Sequence, residues 1–275
     1  MVKRVLVGYG IDVDAVSGWI NTKTGAPANP TDVSRGIFGA TVGIDRLLKL
    51  WDKLGIKTTW SPKADPVSRG LHGYTHEHVS QLSEQQQRDV LIKSIEVLTR
   101  FTGKKPKGWT APAWDTSKDT IELLEEYGIL YYAPSGAKWT ETNMANPASS
   151  WMTPMSSLRP SKVVEIPANW HLDDWPPFQL SLKQASTHGY VDTYSVERLW
   201  KDQFDYYYRE YDTFVFPMSI HPQVSGKPQV ILMHERIFEY INNHEGVEWV
   251  TMEQMVKEYK EGRIGGVEVK GGVDL

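Results

Sequence analysis

Blocks of apolar residues recur along the chain, and their period switches between that of a strand and that of a helix. Residues 5–9 form a nearly unbroken apolar run closed by Gly10, the pattern of a buried strand. Residues 15–38, rich in Gly, Asn, Pro and Ser, read as a long loop. In residues 43–54, Ile44, Leu47, Leu48 and Trp51 repeat at helical spacing and Gly55 provides a stop. Residues 57–60 read as a strand. Ser83-Glu84-Gln85-Gln86 is a capping box, and Leu91, Ile95 and Leu98 continue its helix. A helix over 118–127 stopped by Gly128 and a strand over 129–132 follow. Residues 133–160 look irregular, and residues 163–166 form the next strand. Ser195 is placed to cap a helix reaching Tyr211, and residues 213–220 form a strand. Pro228 opens a helix at a favoured first position, 247–250 is a strand, and Thr251-Met252-Glu253-Gln254 is a second capping box. The last ten residues hold three glycines and are expected to fray.

Strand and helix therefore alternate, which predicts a mostly parallel sheet with crossover helices, open or closed into a barrel. No repeat, linker or composition break divides residues 1–275, so one domain is expected. Hydrophobic residues make up 40% and charged residues 23% of the chain, which excludes disorder. With 30 Lys+Arg against 34 Asp+Glu, net charge -4, a dedicated nucleic-acid binder is excluded. The cysteine count is 0, which removes disulfides, thiolate metal sites and cysteine nucleophiles together. Met1-Val2-Lys3-Arg4 leads straight into an apolar run too short for a signal segment, and no stretch approaches a membrane span. The expectation is a cytoplasmic chain with no membrane partner.

In such sheets chemistry gathers where strands end. Asp12 and Asp14 follow the first strand and project the same way if the chain is extended. One could bind a metal and the other act as a base; two solvated loop carboxylates are the plainer alternative. His72 and His76 stand at i, i+4, so one helical turn would face both imidazoles the same way, with His78 as a bystander. Two imidazoles and a carboxylate make a three-ligand site with open positions. His221-Pro222 closes the 213–220 strand, where a histidine suits a general acid or, equally, a core hydrogen bond. Asn169-Trp170-His171-Leu172-Asp173-Asp174-Trp175 combines carboxylates with aromatic plates.

In this order, Asp12-Val13-Asp14, Ser34-Arg35-Gly36, Gly70-Leu71-His72-Gly73-Tyr74-Thr75-His76-Glu77, Ala111-Pro112, Trp170-His171-Leu172-Asp173-Asp174-Trp175 and His221-Pro222 resemble the polysaccharide deacetylase family (the NodB-homology, carbohydrate esterase family four group). The resemblance is strongest to its cytoplasmic branch of peptidoglycan- and chitin-deacetylase-like proteins and cyclic imide or allantoin hydrolases. It implies a distorted (β/α)7 barrel, with a divalent metal held by Asp14, His72 and His76. The default metal is Zn2+, with Co2+, Mn2+ or Ni2+ also compatible. It implies Asp12 as general base, His221 as general acid, and the backbone N–H of Ala113 in the oxyanion site. Trp114, Asp173 and Trp175 would line the substrate pocket, with Trp109 also available to stack on sugar rings. The implied reaction is hydrolysis of a C–N amide bond.

Three departures from the family pattern stand out. The cation that often pairs with the base is replaced by Thr110, and Arg35 is the candidate substitute. Only residues 61–70 separate Trp60 from the histidine motif, where the family has a helix and a strand, so a βα unit after Trp60 is expected to be shortened. The stretch from Tyr131 to Trp139 also looks short. The substrate is then an N-acetylglucosamine polymer or oligomer of chitin or peptidoglycan type, or a small cyclic imide or ureide. A degenerate barrel that only binds is a third reading. The resemblance also implies a homo-oligomer, a tetramer in the cytoplasmic branch, for which Trp200, Phe204, Tyr207 and Tyr208 offer an interface or plain core packing. The chain has 11 tryptophans, six of them (Trp109, Trp114, Trp139, Trp151, Trp170, Trp175) between residues 109 and 175, which suggests an aromatic pocket; Trp51 and Trp60 read as core.

Overall fold

The apolar run at the N-terminus extends into β1 (Arg4–Asp12), whose Val5, Leu6, Val7, Tyr9 and Ile11 are all buried. A strand apolar on both faces must be covered on both, and β1 is an interior strand that pairs with the strands at 59–61, 213–220 and 247–249. The computed structural model describes residues 3–20, 27–61, 68–133, 141–145, 158–180 and 187–265. Trp139, Trp151 and the glycine-rich last ten residues lie outside them.

Residues 15–38, expected to be a loop, carry α1 (Ser17–Ile20) and α2 (Pro30–Phe38). The start signal for α2 is plain in the sequence: Asn29 caps it, accepting from Thr31 N at 3.0 Å, and Pro30 takes the first position. Its glycines masked the helical period. They are there for packing. A π-helical turn, Gly39–Gly43, joins α2 to α3 (Ile44–Leu54), which ends at Gly55 in the left-handed conformation, φ 66. A Cβ on Gly36 would sit against the carbonyl oxygen of Ala15, and one on Gly43 against that of Pro222. The glycines thus let α2 and α3 lie directly on the two loops that follow β1 and the 213–220 strand. Gly36→Ala is expected to destabilise the fold by about 1–3 kcal/mol through overpacking. Calorimetry checks this; an unchanged Tm would show that Ala15 gives way freely.

β2 (Thr59–Ser61) and β3 (Ser68–Leu71) are adjacent and parallel, pairing Thr59 with Ser68 and Trp60 with Arg69. Only residues 62–67 connect them, about half the length of a helical crossover. The unit after Trp60 is therefore short, as expected. Ser83 caps α4 (Glu84–Thr102) with the full capping box: its Oγ accepts from Gln86 N, and the Gln86 side chain accepts from Ser83 N. Next come β4 (Gly108–Thr110), α5 (Thr120–Glu126), β5 (Tyr131–Ala133), β6 (Glu141–Ala145) and β7 (Leu158–Glu165). β6 lies inside the region read as irregular and pairs antiparallel with β7.

α6 (Trp175–Phe178) precedes α7 (Thr193–Glu210). Asp192, not Ser195, caps α7, accepting from Ser195 N at 3.1 Å. β8 (Thr213–Ile220), α8 (Pro222–Ser225), α9 (Pro228–Asn242), β9 (Val247–Trp249) and α10 (Met252–Lys260) complete the chain. Thr251 caps α10 through Gln254 N.

The strand order is β6-β7-β5-β4-β3-β2-β1-β8, with β9 also on β1, and every pairing except β6–β7 is parallel. The β7 and β8 sides meet through an isolated bridge between Asp173 and Ser219, so the sheet curls into a distorted (β/α) barrel. Along β1 the odd positions Val5, Val7, Tyr9 and Ile11 pack with Leu47, Trp51, Trp200, Phe204, Met233 and Ile237 of the outer helices. Leu6 joins Tyr131, Val164, Val215 and Met255 in a separate cluster. By alternation Asp12 shares the face of Leu6, Gly8 and Gly10, which places its carboxylate at the strand end where chemistry is expected.

Candidate active site

Asp14 lies just past β1 and is buried. Its Oδ1 is 3.3 Å from His72 Nε2 and 3.8 Å from His76 Nε2. The histidines do not share a helix. They lie on a turn after β3, with Gly73 at φ 66 and His76 at φ 64. Glu77 holds that turn: its carboxylate accepts from Tyr74 N and Thr75 N, both at 2.8 Å, and from Thr75 Oγ1 at 2.7 Å. His78 turns away toward Asp115, 3.8 Å off.

Two observations show that this trio fits a cation. Asp14 Oδ1 and His72 Nε2 are both buried, and neither has a hydrogen-bond partner; they are close but not aligned for a mutual bond. His72 Nδ1 lies 3.0 Å from the carbonyl oxygen of Thr110, to which it donates. That bond fixes the tautomer and leaves the Nε2 lone pair facing Asp14, the usual arrangement of a metal-binding imidazole. Asp14 Oδ2 accepts from Gln223 Nε2 at 3.1 Å. Asp14, His72 and His76 can each offer a ligand atom to one ion, with positions left for water or substrate.

Asp12 is buried and 4.0 Å from His72 Nδ1. Burial raises its pKa, against the pull of His72 and His221. Arg35 does not take up the place of the missing cation beside it. Its Nη1 donates to Asp32 Oδ1 at 3.2 Å and to the Leu180 carbonyl at 2.9 Å, so Arg35 belongs to a different wall. His72 is the one basic side chain within ion-pair distance of Asp12 among the described residues.

His221 ends β8, with Nε2 4.0 Å from Asp14 Oδ2. Its Nδ1 donates to Asp174 Oδ1 at 2.7 Å, and its backbone N–H also reaches the Asp174 carboxylate. Burial works against a charged imidazole here, but Asp174 and Asp173 outweigh it and hold the pKa well above the usual histidine value. Behind Asp174 runs a buried chain that sequence reasoning missed. Ser225 Oγ donates to Asp174 Oδ2 at 2.6 Å and lies 2.8 Å from His234 Nε2, while His234 Nδ1 lies 3.2 Å from Tyr9 OH. Burial lowers the His234 pKa to about 4 and raises that of Tyr9, so both are neutral at pH 7. The donor order follows: Tyr9 to His234, His234 to Ser225, Ser225 to Asp174. Every link points its proton toward the same carboxylate, which favours the charged His221–Asp174 pair.

Asp173 sits beside them, with Oδ1 accepting from Trp175 N at 2.6 Å and lying 3.9 Å from His221 Nδ1. Burial pushes its pKa up, against the pull of His221. The Trp175 ring leans on His221, centroids 4.9 Å apart, and stacks on Trp19 at 5.8 Å. Trp114 meets Trp170 at 4.3 Å. Trp109 is not part of this wall: it is buried with Leu71, Leu91, Ile121 and Leu124.

Backbone strain concentrates in the same segments. Among the described residues the non-glycines with positive φ are Ala15, His76, Ala113 and Trp114, all in or next to the motifs above. Each costs on the order of 1 kcal/mol and persists only where surrounding contacts enforce it. Ala113, at φ 53, is turned by this strain in the loop after β4.

Comparison with known proteins agrees with this geometry. Residues 62–132 match the family described as Polysaccharide deacetylase. A peptidoglycan deacetylase of Helicobacter pylori is 40% identical over 286 positions, covering 94% of this chain and 97% of its own length. The chain belongs to the polysaccharide deacetylase family. A peptidoglycan deacetylase-like protein of Gibberella zeae is 36% identical, covering 94% of this chain and 87% of its own. A solved structure of the polysaccharide deacetylase type from Mycobacterium smegmatis superposes with a TM-score of 0.82 at 22% identity, covering 100% of this chain and 96% of that one. Membership makes the chain a hydrolase of carbon–nitrogen bonds other than peptide bonds, metal-dependent like its family. No helix among the described residues is long and apolar enough to cross a membrane.

Proposed function

We propose that this chain removes acetyl groups from N-acetylated amino-sugar units of a polymer or oligomer of peptidoglycan or chitin type. It does so as one catalytic domain with a divalent cation, Zn2+ by availability, held by Asp14, His72 and His76. The observation that carries this reading is the unpartnered pair Asp14 Oδ1 and His72 Nε2, buried 3.3 Å apart and faced by His221. Bound there, the cation would polarise the acyl carbonyl and the attacking water. Asp12, its pKa raised by burial, accepts the proton of that water. His221, kept protonated by Asp174 and Asp173, delivers a proton to the departing nitrogen, a poor leaving group without one. The backbone N–H of Ala113 serves the developing oxyanion, and Trp114 and Trp175, with Asp173 orienting the latter, shape the acyl pocket.

The names of the two curated relatives support a sugar substrate over a small ring. Acetate release from N-acetylglucosamine oligomers, run beside ring opening of a cyclic imide, tests the choice. Acetate release alone is expected; ring opening without acetate release would move the chain to the cyclic amide class.

Ser225→Ala, which removes one donor from Asp174, is expected to lower kcat roughly tenfold with little change in KM. An unchanged kcat would detach the Ser225–His234–Tyr9 chain from the proton transfer. The reading includes a cytoplasmic homo-tetramer. It is supported by the lack of cysteine and by α7, where Trp200 and Phe204 are core but Tyr206 and Tyr207 are exposed. Light scattering checks the tetramer, expected at the mass of four chains.

A further inference from the structure

Ser34-Arg35-Gly36 is only partly accounted for by the chemistry above. Gly36 packs on Ala15, but Arg35 opens onto a cavity of about 330 Å³ that it shares with Lys227, Gln223, Gln179, Phe38 and Tyr190. The charge in this cavity is unbalanced. Arg35 has one carboxylate, Asp32. Lys227, half-buried at the start of α9, donates to the Phe178 carbonyl at 3.2 Å and has no carboxylate within ion-pair distance among the described residues. Burial lowers the Lys227 pKa, and Arg35 lowers it further against the pull of Asp174. Two neighbouring cations in a partly enclosed space are costly without an anion between them. Among the described residues, none of those lining the cavity is a carboxylate, and Asp32 pairs with Arg35 alone.

The cavity also touches the candidate metal centre through one side chain. Gln223 is 2% exposed; its Nε2 donates to Asp14 Oδ2, and its buried Oε1 has no partner. A ligand seated against Gln223 is therefore one residue away from the reacting acyl group. Open space, two cations and an orphaned amide oxygen together describe a polar subsite, not a packing defect.

We propose that this cavity is a specificity subsite for a carboxylate carried by the substrate, bound between Arg35 and Lys227. The proposal rests on the deacetylase reading and narrows it to N-acetylated sugars that bear an acidic substituent. An Arg–Lys pair with both bidentate and point-charge donors suits a carboxylate, and Tyr190, 84% exposed, stands at its rim.

The test uses the metal-loaded full chain and equilibrium titration with N-acetylmuramic acid, N-acetylglucosamine and lactate. The first differs from the second by a lactyl ether that carries the carboxylate. N-acetylmuramic acid is expected to bind at least tenfold tighter than N-acetylglucosamine and at least tenfold tighter than free lactate. In Lys227→Met the preference between the sugars should fall to within twofold, and Lys227→Arg, which keeps a cation, should restore it. Equal affinity for the two sugars in the wild type, or a preference that survives Lys227→Met, would overturn the proposal. So would lactate binding as tightly as the acidic sugar, since the cavity would then serve a free anion. If neither sugar binds but lactate does so in a Lys227-dependent way, the sugar reading fails while the anion cavity stands. If no carboxylate binds, the cavity proposal itself fails.

Discussion

Asn in place of Asp174 is expected to lower kcat by a factor of about 10²–10⁴, the range that a positioned general acid contributes. Asp174 is fully buried and accepts from His221 Nδ1, from the His221 backbone and from Ser225 Oγ. An amide of the same shape keeps the space filled but removes the charge, and only its carbonyl oxygen can accept, so either His221 Nδ1 or Ser225 Oγ meets an NH2 donor instead of an acceptor. Metal content and KM should stay close to wild type, which separates this effect from misfolding. The pH profile gives a second readout. A general acid works while protonated, so activity is lost as pH rises through the pKa of His221. Asp174 holds that pKa well above the ordinary value, hence the alkaline limb in Asp174→Asn should move to lower pH. A kcat within a few-fold of wild type, with the limb unmoved, would remove His221 from the role of acid.

The second large effect belongs to Asp14→Ala. It deletes the carboxylate whose Oδ1 lies between His72 and His76, and it leaves Gln223 without its acceptor. Two imidazoles alone do not make the three-ligand set of a catalytic centre. Bound metal should fall below about a tenth of an equivalent. Turnover should fall by about 10³ or more, since several kcal/mol of charge stabilisation is lost and each 1.36 kcal/mol is tenfold. Full metal occupancy in Asp14→Ala, measured by elemental analysis, would place the ion elsewhere.

Local signals in the sequence carried much of the fold. The capping box at Ser83, the stop at Gly55 and the apolar run of β8 each depend on neighbours in the chain, and each reads correctly. α2 was hidden because Gly36 breaks its apolar period, and Gly39 and Gly43 do the same in the turn that follows; they answer to the backbones of Ala15, Gln223 and Pro222, none of them a neighbour in sequence. The i, i+4 spacing of His72 and His76 brought the right pair together for the wrong reason. Their rings converge on a turn with two left-handed residues, a conformation that spacing does not reveal. Asp173 and Asp174 are adjacent carboxylates, and only the bridge to Ser219 and the bonds to His221 distinguish the one that holds the ring. Ser225, His234 and Tyr9 carry no local signal at all; β1, α8 and α9 must be folded before they meet. The tryptophan excess divides similarly: Trp51, Trp60 and Trp109 are core, while Trp175, stacked on Trp19, stands beside His221, and Trp114 pairs with Trp170.

The central claim is that a divalent cation on Asp14, His72 and His76 drives amide hydrolysis. It is tested by stripping the purified chain with chelator, adding back metal in sub-stoichiometric steps, and measuring bound metal and acetate release from N-acetylglucosamine oligomers together. Saturation at one equivalent per chain, with acetate release rising in proportion and absent at zero metal, is the predicted result. Acetate release that persists in the stripped chain, or a chain that takes up no stoichiometric divalent ion, would contradict it.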